Sequence, residues 1–113
     1  MADAFSVSFS PGAEADMIAI ATYLLDHRDA DAARIFATTI RQKVAALADF
    51  PHRGAIPREL DDGSEDGFRQ ILSGRYRIVY QVEASKVVIV LVADGRRDMQ
   101  ALLRVRLLAP RSI

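Results

Sequence analysis

Residues 13–47 and residues 68–93 keep different apolar rhythms, and the change between them leaves few folds open to the chain. In the first stretch Ala13, Met17, Ile20 and Leu24, then Ala33, Phe36, Ile40, Val44 and Leu47, recur three and four residues apart. That spacing puts apolar side chains on one face of a helix. In the second stretch, runs of strand length at 68–72, 76–82 and 87–93 are joined by Ser73-Gly74-Arg75 and by a polar turn around Ala84-Ser85. Both links are short enough for hairpins, so the three runs predict an antiparallel meander. Neither helix can bury its stripe alone, and the meander supplies the surface they need.

The ends of these elements are also marked. Phe5, Val7 and Phe9 alternate with serines, which predicts a strand over 4–9. Ser10 can cap the first helix with Pro11 at its first position, and that helix ends near Asp26-His27. Asp29 or Asp31 can cap the second helix, which must stop by Phe50 because Pro51 disfavours helical geometry in the residue before it. Residues 51–67 hold prolines and glycines without a period and read as a long surface loop. The uninterrupted VVIVLV of 87–92 reads as a central strand covered on both faces. Beyond Asp94-Gly95 the pattern is mixed: Asp98 can cap a short helix through Met99, Leu102 and Leu103, whereas RVRLL alternates as a strand does. A short helix or helical turn followed by an extended tail is expected. The reading is an α+β fold: an N-terminal strand and a two-helix antiparallel hairpin packed on a mostly antiparallel four-stranded sheet, with a short C-terminal helix or tail.

Half of the 113 residues are hydrophobic, enough for one core, so a single domain spanning 1–113 is expected. The absence of cysteine removes disulfides and thiolate metal sites from consideration. The longest apolar run, 87–93, is far shorter than the roughly 20 residues of a membrane span, and the N-terminus lacks the basic start and apolar run of a signal peptide. A cytoplasmic protein with no membrane partner is expected. Net charge is zero, yet residues 1–68 carry six Lys/Arg against twelve Asp/Glu, and residues 69–113 carry nine against three. Spatial segregation of the halves would give a basic region that attracts phosphate or an acidic partner; interleaving would cancel it. Direct nucleic-acid binding stays open at this point.

Conventional catalytic arrangements are poorly supported. His27 and His52 lie at predicted helix or loop ends, away from any candidate nucleophile. Asp61, Asp62, Glu65 and Asp66 lack the alternating ligand spacing of a calcium loop, and no phosphate-cradling glycine motif is present. No metal and no cofactor are expected. The arginines of the second half offer more. Strand alternation in 76–82 puts Tyr76, Ile78, Tyr80 and Val82 on one face and Arg77 on the other. If Arg69, Arg96 and Arg97 reach the side of Arg77, four guanidinium groups converge on a sheet face without a helix, a ready anion site. Alternatively Arg77 and Arg97 pair with Asp94, Asp98 or Glu83 and only hold strand ends together.

The succession FSVSFSPGAEADMIAIATYLLDH, AARIFATTIRQKVAALADFPHRG and FRQILSGRYRIVYQVEASKVVIVLVADGRRDMQALL resembles the ParE/RelE toxin superfamily over almost the whole chain. Its most specific parts are the YRIVYQV strand after a short turn, the strand closing on GRRD, and LADFPHRG at the end of the helices. The resemblance implies the fold already read from the periods, and a ParD-like antitoxin using the groove beside the hairpin and sheet, with Tyr23 as a natural contact. It implies one of two toxic activities: inhibition of DNA gyrase, as in ParE-like plasmid-stabilisation toxins, or ribosome-dependent cleavage of messenger RNA, as in RelE-like members. The RelE-like catalytic positions match Arg69, Ile71, Arg77, Arg97 and Leu103. One basic position is thus isoleucine and the tyrosine is leucine, a loss of proton-handling chemistry worth about 10² to 10⁴ in rate. This favours a ParE-like protein-binding inhibitor over an enzyme, with Arg69, Arg77, Arg96 and Arg97 expected at the target-binding surface. The alternatives are the messenger-RNA nuclease and a non-toxic module that serves only operon regulation with its antitoxin.

Overall fold

Ser10 ends the first strand and starts the first helix: its side chain accepts a bond from Ala13 N at 3.1 Å while its own N–H donates to Ile89 O. The computed structural model describes residues 4–60 and 67–108. Strand β1 (Ser6–Phe9) leads into α1 (Pro11–His27) and α2 (Ala30–Ala45). Of the two candidate caps of α2, Asp29 is the one used, accepting from Ala32 N at 2.7 Å. A 3-10 turn, Ala46–Ala48, closes the helical hairpin and a second, Arg58–Leu60, lies within the connection that follows. Strands β2 (Phe68–Ser73), β3 (Tyr76–Glu83) and β4 (Lys86–Asp94) form the expected meander, and α3 (Met99–Leu108) follows. No described helix is long and apolar enough to cross a membrane.

The sheet order is β1-β4-β3-β2, with β1 parallel to β4 and the other pairs antiparallel. This is the α+β architecture the periods imply, with a single parallel pair. Hydrophobic faces of α1 and α2, notably Met17, Phe36, Ile40 and Val44, pack on Ile78, Tyr80 and Ile89 of the sheet. A bulge shifts the register where Val79 faces Leu91 but Tyr80 faces Ile89. Val90 is the extra residue, and the shift lets Ile89 and Val92 serve the same core despite their odd spacing.

The opposite face is not open. Val79, Val90, Leu91 and Ala93 are buried there beneath Met99 and Leu103 of α3, with Leu60 of the second 3-10 turn beside them. The expectation of a helix-free face is corrected by the same VVIVLV run that marks β4 as covered on both faces: a second cover is required, and α3 supplies it. Burying Met99 and Leu103 stabilises the helix by roughly 2 kcal/mol each. The RVRLL segment is accordingly helical, begun by Asp98, which accepts from Ala101 N at 3.0 Å. The final residues, 109–113, expected as an extended tail, lie outside the described residues, as does the acidic cluster at 61–66.

Where β1 stops, β4 keeps an unpaired edge, and side chains complete it. Asp16 of α1 accepts from Val92 N at 2.9 Å, and Arg106 of α3 donates to Val90 O at 2.8 Å. Arg106 and Asp16 also join each other through two bonds of 2.8 Å. Arg106 reaches Asp16 by crossing Gly12, where a Cβ would stand 2.9 to 3.0 Å from its side chain.

Candidate functional site

The four arginines whose convergence alternation leaves open are separated in the folded chain, and for Arg69 a single turn residue is the cause. If 73–75 were all link, Leu72 would face Tyr76 and Arg69 would share a face with Arg77. The observed turn is only Gly74-Arg75, with Gly74 at a φ of +57°, so Ser73 pairs with Tyr76 and Arg69 with Tyr80. A one-residue change of register turns every side chain of β2 over. Arg69 therefore lies on the hairpin side, where it donates to Gly54 O at 2.7 Å and His52 O at 3.3 Å.

Arg77 faces α3 and is only 8% exposed. Its guanidinium forks onto Glu59 of the second 3-10 turn at 2.9 and 2.7 Å, and both Nε and Nη2 donate to Gln70 Oε1. The fork holds the Glu59 carboxyl at about 2, far below its ordinary 4.5, and raises Arg77 in turn. The alternative in which Arg77 pairs internally thus describes its geometry, although the partner is Glu59 and not Asp94, Asp98 or Glu83. Leu103 is buried in the α3 core and Ile71 packs at the hairpin core. The positions matched to RelE-like catalysis are consequently spread over both faces of the sheet.

Arg96 and Arg97 do come together with Tyr23. They line a groove of about 570 Å³ between α1 and the adjoining ends of β3 and β4. Its floor is apolar, with Ile20, Leu24 and Val92, and Tyr23 is 59% exposed on the wall, stacked on His27 at 4.0 Å between ring centres. Asp94 receives Arg75 Nε at 2.8 Å and Arg96 at 3.1 and 3.2 Å. Arg97 contributes its main-chain N–H to Asp94 O, but its guanidinium has no partner among the described residues. Arg28 and Arg75 complete the rim, and both also border a second depression leading over Tyr76 to Ile35 and Phe36. Burial raises the Tyr76 phenol above its ordinary value, so its hydroxyl stays protonated at the groove. Among the described residues, four guanidinium groups face the single half-buried carboxylate of Asp94, Asp16 being held by Arg106, so the rim carries surplus positive charge.

Sequence reading misses Arg28 and Arg75. The signal for Arg75 is its place in a tight turn opposite the Asp94 end of β4; Arg28 carries none beyond ending a helix.

A family model described as the ParE toxin of the type II toxin–antitoxin system, parDE, matches residues 7–99. Among solved structures, the chain is similar to one from the chromosomal ParDE toxin–antitoxin system of P. aeruginosa, at 19% identity and a TM-score of 0.65, over 80% of this chain and 95% of that one. It is also similar to a chain of the RelBE2 toxin–antitoxin complex from Mycobacterium tuberculosis, at 22% identity and a TM-score of 0.57, over 83% and 94%. At these identities the structural likeness concerns the fold. No curated protein sequence matches.

Proposed function

The chain belongs to the ParE toxin family of type II toxin–antitoxin systems, and on that premise we propose that it inhibits DNA gyrase in the cytoplasm and is silenced by a ParD-like antitoxin. What carries the reading is the groove in which Arg96, Arg97 and Tyr23 meet. A surplus of guanidinium groups above an apolar floor suits a protein surface bearing carboxylates and apolar side chains. One surface then serves both partners, so an antitoxin lying over Tyr23 removes Arg96 and Arg97 from the target. Arg69 and Arg77, tied to loop carbonyls and to Glu59, act in this reading as positioning residues. The dispersal of the RelE-like positions argues against the nuclease, because phosphoryl transfer needs its groups around one reacting phosphate.

The test is a supercoiling assay with purified gyrase beside a ribosome-dependent cleavage assay. Inhibited supercoiling with intact messages is expected; cut messages with normal supercoiling would overturn the proposal in favour of the nuclease. Arg97→Ala is expected to lower inhibition by about tenfold with unchanged thermal unfolding, since its guanidinium has no partner to lose among the described residues.

A further inference from the structure

The 50–57 segment lines no part of the groove, and it is fixed more firmly than a connection requires. Its inward residues, Pro51, Gly54 and Pro57, are buried. Ala55 and Gln70 exchange both main-chain bonds, at 3.1 and 2.8 Å, and Arg69 holds the carbonyls of His52 and Gly54. The buried Tyr80 hydroxyl accepts from Gly54 N at 2.9 Å. A Cβ on Gly54 would lie 2.3 Å from Gln70 O, so only glycine permits the approach. Ordering a loop to this degree costs conformational entropy and yields an outward surface of fixed shape.

That surface is basic between two apolar ends. Phe50 is 64% and Leu72 58% exposed. Two shallow depressions meet at Arg53, one over Phe50 and Pro51, the other over Ile71 and Leu72 beside Lys43. Among the described residues, the only carboxylate in either lining is Asp49 and the Arg53 guanidinium has no partner. β2 is the outermost strand here. Gln70 turns its N–H and C=O outward to Ala55, so the same groups of Leu72, two residues on, face that outer edge. Lys43 Nζ donates to the Leu72 carbonyl at 3.1 Å.

We propose that this edge docks an extended acidic protein segment. Its carboxylates meet Arg53 and Lys43, its alternate apolar side chains rest on Phe50 and Leu72, and its main chain runs beside β2 at Leu72. Charge selects the occupant. A second copy adding its own β2 edge would bring Lys43 and Arg53 against their equals, a like-charge contact that disfavours the pair. A nucleic acid is held in proportion to the phosphates neutralised, and two cations flanked by apolar side chains are a poor match for it. The site shares no lining residue with the groove, so both can be occupied together.

The experiment uses the full-length chain and three fluorescent probes: a short peptide alternating Glu with Val, its Lys counterpart, and a short single-stranded DNA. The Glu peptide is expected to bind and to shift the Leu72 amide resonance. Arg53→Glu, and separately Lys43→Glu, are expected to weaken it about tenfold with thermal unfolding unchanged. Undiminished binding by both variants, equal binding of the Lys peptide, tighter binding of the DNA, or no binding of the Glu peptide would each overturn the proposal. So would concentration-dependent dimerisation lost in Leu72→Glu. None of these readings depends on gyrase, so the proposal fails or stands apart from the toxic activity.

Discussion

Glu59 shows how much a single side chain can settle. It ties the 3-10 turn to β3 through a fork on Arg77, and both side chains are largely withdrawn from water. Losing one member leaves the other charged and unpaired, so Glu59→Gln is expected to cost about 3 kcal/mol in urea unfolding at neutral pH. The carboxyl titrates near 2 when folded against 4.5 ordinarily. Its contribution is therefore complete above pH 4.5 and disappears as pH falls from 4.5 towards 2. The gap between the natural chain and the variant should narrow over that window. None of this was legible beforehand, because Glu59 sits in a stretch without period and its partner is eighteen positions away. Arg97 was legible as a candidate, since GRRD follows a strand that cannot continue. That its guanidinium has no partner among the described residues is visible only in the fold.

At the level of elements, the sequence carries the hairpin and meander well: the stripes of α1 and α2 and the alternation of β3 are the ones that are buried. Two elements resist. The identity of α3 is hidden because RVRLL satisfies a strand period locally, while burial of Met99 and Leu103 decides for helix. The face of β2 is hidden because it depends on whether the turn before β3 holds two residues or three. Turns also store strain. Ala84 adopts a φ of +53° in the turn linking β3 to β4, a region costing a residue with a Cβ about 1 kcal/mol. Ala84→Gly is expected to recover roughly that amount in thermal unfolding, offset in part by the greater freedom of unfolded glycine. Gly12 is needed for a different reason. Ala at position 12 favours α1 by propensity but pushes Arg106 off its path. Faster amide exchange at 104–107, without faster exchange in α1, is the expected signature of Gly12→Ala.

Across the whole molecule, folding brings the opposed charges of the two halves together at two buried or half-buried ion pairs. Glu59 with Arg77, and Asp16 with Arg106, each join an acidic residue of the first half to a basic residue of the second. These two pairs withdraw Arg77 and Arg106 from the surplus of the second half, while Arg28, Arg96 and Arg97 stay at the groove rim and Arg53 at the β2 edge. Asp16 has a further role by position. Its carboxylate stands where a continued β1 would have supplied hydrogen-bond partners, so a strand that could recruit a neighbour is sealed by an ion pair. Asp16→Ala would unseal it, and light scattering of concentrated protein is expected to rise with time as molecules stack strand to strand. The clasp that seats the last helix is thus also the cover of a bare strand edge.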